Sequence, residues 1–225
     1  MIRIRWTCIV LALLTIAMLG LGLNNRKTYT DKYHEPDFLD TVYVAELSEE
    51  MTLTNAEEME KELPNSPMIF CVKEAEDIAL FHGRIQQKAS VSRVLKGEGL
   101  SEGDTILLSS NSWTYTVDET YTSLEREFVN ILRNDTEYLI FGNRLEDNIW
   151  NTSDPVYLVE DEYLIAPVFA LKDIPNTISE NFLSPDTSYV PYSEVKDNEF
   201  FCRSQKGLDA LVSLKKTLFE KYNLN

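Results

Sequence analysis

Residues 6–23 constrain this chain most: 18 consecutive residues carry no charge, with Arg3 and Arg5 before them and Asn24, Asn25, Arg26 and Lys27 after. A helix over that run covers ~27 Å, close to a bilayer hydrocarbon core of roughly 30 Å. The run exceeds the core of a cleaved secretory signal (about 7–15 residues), and only Gly20-Leu21-Gly22 approaches a small-residue cleavage site. The expectation is an uncleaved transmembrane anchor over 1–27, with a cleaved signal as the alternative. Two arginines and the terminal amine outweigh Arg26 and Lys27 by little, and the expected orientation leaves the bulk of the chain outside the membrane. Cys8 lies within the run, off the position of a lipid-bearing cysteine, and reads as a small apolar residue.

The anchor takes four of the 21 basic residues and none of the 37 acids, so the other residues carry 17 bases against 37 acids, a formal charge of −20. Such a surface repels phosphate backbones, which argues against a nucleic-acid partner. The chain lacks the alternating Asp/Asn calcium loop closed by Gly and Glu. Glu74-Glu76-Asp77 and Glu160-Asp161-Glu162 read as solvated loops. Two His and three Cys leave little room for a zinc centre, and no metal or cofactor is expected. Outside the anchor only Cys71 and Cys202 remain. They either close one disulfide or stay as two buried thiols.

Residues 28–53 are polar and acidic with scattered aromatics and read as a stalk passing into the domain edge. Thr54 with Glu57 forms a capping-box pattern for a short helix to about residue 63, stopped by Pro64-Asn65-Ser66-Pro67. Residues 68–73 form a short apolar strand. In 85–95, Ile85, Gln87, Ala89 and Val91 alternate with polar neighbours until the phase shifts at Val94, which predicts a bulge in a long bent strand. A turn with three glycines spans 96–104, and a strand follows over 105–110. Helical spacing of Leu124, Phe128, Ile131 and Leu132 predicts a helix over 122–133. Strands are expected at 137–143, 156–159 and 163–171, and a final helix from Ser204 with Leu208, Leu211, Val212, Leu218, Phe219 and Tyr222 on one face and Lys215 and Lys216 opposite. The order matches a five-stranded OB-type barrel with a helix between its third and fourth strands, and bulges serve the bending that closure requires. An open antiparallel sandwich is the competing reading. The expected fold is therefore mainly β within α+β: anchor 1–27, stalk and short helix 28–66, barrel 67–172, irregular segment and amphipathic helix 173–225.

The stretches Val91-Ser92-Arg93-Val94-Leu95-Lys96-Gly97, Gly103-Asp104-Thr105-Ile106 and Glu137-Tyr138-Leu139-Ile140-Phe141 resemble a pattern in surface proteins of Gram-positive bacteria. Those proteins are similar in strand order to the OB-fold module of tissue inhibitors of metalloproteinases and netrin C-terminal domains. The resemblance covers about residues 68–170 and implies a fold. Metalloproteinase inhibitors chelate the protease zinc through a leading cysteine and hold their barrel with several disulfides. This chain departs on both points.

Known catalytic signatures are missing: no Gly-x-Ser-x-Gly elbow, phosphate loop, His-Glu-x-x-His or Cys-x-x-Cys. Ser213-Leu214-Lys215-Lys216 matches Ser-x-x-Lys without partner motifs and reads as chance. His82 with Cys71 is the one nucleophile pairing to consider, needing a lowered thiol pKa. Trp113, Tyr115 and Trp150, with Tyr121 and Tyr157 nearby, form a candidate aromatic patch for a sugar or protein, or else belong to the barrel core. Asn134-Asp135-Thr136 and Asn151-Thr152-Ser153 are glycan sequons only in a eukaryotic secretory host. The expected function is a non-enzymatic interaction domain at the cell surface, held by its N-terminal helix to the membrane and meeting a protein or cell-wall partner. Carbohydrate binding and protease inhibition are the alternatives.

Overall fold

Strand pairing in the computed structural model closes a ring. The structure describes residues 2–27, 38–81, 84–117, 122–124, 131–145, 153–160, 162–183 and 187–224. They divide into two units, Met1–Phe38 and Leu39–Asn225.

The first unit contains helix α1 (Ile2–Lys27). Its side chains are described from Leu11 to Asn24, and all are exposed. Among the described residues no helix is long and apolar enough to cross a membrane.

The second unit holds β1 (Val42–Ala45), α2 (Glu49–Glu62), β2 (Met68–Lys73), β3 (Ala79–Phe81), β4 (Arg84–Lys96), β5 (Thr105–Val117), β6 (Thr122–Leu124), β7 (Tyr138–Arg144), β8 (Val156–Val159), β9 (Val168–Ala170), β10 (Tyr189–Pro191), α3 (Tyr192–Val195) and α4 (Gln205–Tyr222). β2 pairs antiparallel with β4, β4 with β5, β7 with β8, and β7 with β2, while β5 meets β8 in parallel (Leu108↔Tyr157). These five strands make a closed barrel with the OB order, in which the third and fifth strands lie parallel. Closure needs bending, and β4 supplies it at Leu95 and Ser92, the residues skipped where its register against β2 shifts. The expected bulge is present. Gly142 serves the closure too, since a Cβ there would strike the Leu158 carbonyl of β8. Gly97, at φ 106°, turns the chain out of β4 where a side chain would strike Met68.

β2 and β7 are buried on both faces. Phe70 looks inward and meets the Tyr157 ring edge-on, 5.5 Å between centroids. Ile69, Cys71, Leu139 and Phe141 look outward into a cluster with Met59 and Leu63 below α2 and with Leu211, Leu214 and Leu218 of α4. The helices thus form a second layer over one wall of the barrel. β1 extends the sheet, running antiparallel to β10 and parallel to β6, which pairs antiparallel with β5.

Several expectations are corrected. Part of the supposed stalk is ordered structure: 42–45 is β1, and α2 begins at Glu49 because the Ser48 hydroxyl, not Thr54, caps the Met51 N–H at 3.3 Å. The helix expected over 122–133 is strand at 122–124 and irregular at 131–133; its middle lies outside the described residues. Edge pairing with both β5 and β1 captures 122–124, and the Gln87 side chain captures Leu132, accepting its N–H at 2.8 Å and donating to its carbonyl at 3.1 Å. The strand expected over 163–171 shrinks to β9, since Pro167 removes a ladder donor ahead of it. Val212, assigned to the buried face of the last helix, is 49% exposed.

Leu211→Ala therefore loses about 2–5 kcal/mol in urea unfolding, whereas Val212→Ala shifts stability by less than about 0.5 kcal/mol. Equal losses for both would show that α4 is rotated from the orientation described.

Candidate functional site

The last helix stops short of sealing its own edge. Ser204 caps α4 by accepting the Gly207 N–H at 3.0 Å, and the left-handed Asn223 (φ 55°) ends it. That ending folds Leu224 back, its N–H on the Phe219 carbonyl at 3.0 Å. Between α4 and the segment after β9 lies a groove of about 630 Å³, a size suited to a small ligand or a few side chains. Leu171, Ile174 and Pro175 line one side, Val212 and Phe219 the other, and Leu224 also lines it. Asp173 and Lys216 are exposed at its rim, and neither has an ion-pair partner among the described residues.

Its floor is a buried ion pair. Lys215, 6% exposed, donates to Glu199, 5% exposed, at 2.8 Å and to the Lys172 carbonyl at 2.9 Å. Its ammonium also lies 5.5 Å from the Phe219 ring centre. The other Glu199 oxygen accepts the Ala170 N–H at 2.8 Å, which ties the pair to β9. Burial pushes the Glu199 carboxyl up despite the attraction of Lys215. The sequence reading placed Lys215 on the outer face. Its spacing held the contrary signal, because 208, 211, 215, 218 and 222 recur at the three–four interval of a buried helix stripe.

A second buried carboxylate has no such relief. Glu46, just past β1, is 1% exposed, and neither oxygen has a hydrogen-bond partner among the described residues. Burial raises its pKa from 4.5 to about 7; the nearby Ser179 backbone (short of good hydrogen-bond geometry) and Arg203 pull it down, and Glu194 adds to the rise. A folded-state value above the unfolded one makes this group oppose folding increasingly as pH rises from about 4.5 through about 7. Sequence reasoning missed Glu46 because it took the segment as stalk. Val42, Val44 and Glu46 continue one buried face at period two, which was the available signal.

The residues singled out in the sequence fare unevenly. Cys71 and Cys202 are free thiols, both buried in the cluster between the barrel and the helices, so the disulfide reading is not what the structure holds. Cys202 lies 3.2 Å from the Thr52 hydroxyl. Burial, with Glu137 adding to it, pushes the Cys71 thiol up to about 12, which opposes a nucleophilic role. His82 lies outside the described residues. Trp113 and Tyr115 belong to β5, but their side chains are outside the described set, as are Tyr121 and Trp150 entirely. Tyr157 is barrel core, 1% exposed. Ser213 and Lys216 of the Ser-x-x-Lys match are both exposed on α4. No group of three or more metal-ligating side chains occurs among the described residues.

Lys215→Met leaves Glu199 buried and unpaired and costs about 3–5 kcal/mol in urea unfolding. Adding Glu199→Gln, which keeps an acceptor for the Ala170 N–H, restores more than half of that loss. An additive double variant would show that the two groups are not coupled.

No protein-family model matches this chain and no curated protein matches it, so the groove and the two buried carboxylates are the features from which a role is to be drawn.

Proposed function

We propose that this protein is a non-enzymatic interaction domain, tethered by α1 to the membrane and working outside it, which takes a protein segment into the groove beside α4. The observation that carries the reading is the groove itself: an apolar cleft, open to solvent, in an element otherwise devoted to covering the barrel. Val212 stands 49% exposed at its edge, where a purely structural helix would place a polar residue. The uncharged run at 6–23, within a helix of 26 residues, supports the tether.

Charge narrows the partner. α4 carries Lys206, Lys215, Lys216 and Lys221 against Asp209 and Glu220, a basic element on a strongly acidic chain. Lys206 is engaged by Glu49 and Lys215 by Glu199, which leaves Lys216 as the cation at the groove rim. The matching segment presents an apolar anchor to the cleft and a carboxylate to Lys216.

With the full-length protein in nanodiscs, a random-peptide display library should enrich sequences that combine large apolar residues with Asp or Glu. Val212→Glu, with circular dichroism unchanged, should weaken the enriched peptides by roughly tenfold or more. Failure to enrich any peptide, or equal binding by the variant, would reject the groove as the interaction site.

A further inference from the structure

Residues 171–183 form a strap with two ends. The first end walls the groove with Leu171, Ile174 and Pro175. The middle is clamped: the Asn176 side-chain oxygen accepts the Glu199 and Phe200 N–H groups, both at 2.9 Å, and Asn198 holds Thr177 through its N–H, hydroxyl and carbonyl. The far end lies beside Glu46, where Ser179 is buried and both the Ser179 hydroxyl and the Asn181 amide donate to Glu194 of α3. Glu199 therefore links one end to the other, as groove floor and as clamp partner of Asn176.

The surroundings of Glu46 hold little to neutralise a charge. Among the described residues Arg203 is the one cation that acts on it, and its guanidinium lies 4.4 Å over the Phe182 ring of the strap. Glu194 is a like charge already occupied with the strap. β10 sets Tyr189 against Ala45, and α2 begins with Glu49, which is half-buried and engaged by Lys206. An ionised Glu46 has two ways to find relief: water, which must enter beneath Ser179, or Arg203, which must leave Phe182. Either one displaces the strap.

We infer that Glu46 is a proton-operated latch: protonated, it lets the strap close and shape the groove, and ionised, it releases the strap and weakens the groove for its ligand. This regulation rests on the groove reading above, but the motion of the strap does not. As a buried acid that loses its proton to solvent on a pH rise, Glu46 makes the closed state the low-pH state.

The test uses the full-length protein in nanodiscs between about pH 5.5 and pH 8.5, with amide exchange over 174–183 corrected for intrinsic rates. In the wild type, protection of the strap should fall roughly tenfold as pH rises through about 7, and the affinity of an enriched groove peptide should fall with it. Glu46→Gln, a neutral isostere, should hold the strap protected and the affinity level across the range. Carbon-13 titration of the Glu46 carboxyl in the wild type gives an independent check, its midpoint coinciding with strap release. Protection that ignores pH in the wild type, or a Glu46→Gln profile that follows it, overturns the latch. Strap release with no peptide bound at any pH supports the latch and rejects the groove reading. Peptide affinity unchanged while the strap releases overturns their coupling.

Discussion

Everything in the second unit depends on β2 and β7 being apolar on both faces. A small barrel fills its inside with one set of side chains, Phe70 and Tyr157 among them. The outward set, Ile69, Cys71, Leu139 and Phe141, would otherwise face water. Covering it demands a second layer, which α2 and α4 supply. Val212 and Phe219 of α4 meet the segment after β9 across the groove, Phe219 while still part of the covering cluster.

Two buried carboxylates show opposite solutions to one cost. Glu199 is matched by Lys215 and the Ala170 N–H, while Lys215 also donates to the Lys172 carbonyl, and the set binds α4 to β9 and the strap. Replacing the whole set by apolar residues would cost little, so its value lies in fixing where α4 sits. Glu46 has no hydrogen-bond partner for its side chain among the described residues, and burial favours its neutral form. The strap beside it is irregular and held by side-chain hydrogen bonds, which open more easily than strands of a closed ring.

Much of the barrel was legible in the sequence, and for physical reasons. β2 and β8 announced themselves as short continuous apolar runs, β4 by alternation broken at a bulge, and the glycines at 97, 99 and 103 by the turn they permit at positive φ. What stayed hidden depends on partners distant in sequence. Residues 122–124 are strand because β1 and β5 flank them, a pairing local spacing cannot reveal. Lys215 is buried because Glu199 waits 16 residues upstream. Without a known partner, a lysine reads as a surface residue, and a glutamate before a helix reads as linker. The candidate site was therefore almost wholly illegible, although the helix that carries it was placed correctly from Ser204.

The central claim is that the face formed by α4 and the strap, and no other, receives the partner. The most direct measurement is a chemical-shift map of the full-length protein in nanodiscs during titration with a peptide joining an apolar anchor to a carboxylate. The account predicts perturbations concentrated at Ile174, Val212, Lys216 and Phe219. A map centred instead on Trp113 and Tyr115 of β5, with α4 silent, would contradict it.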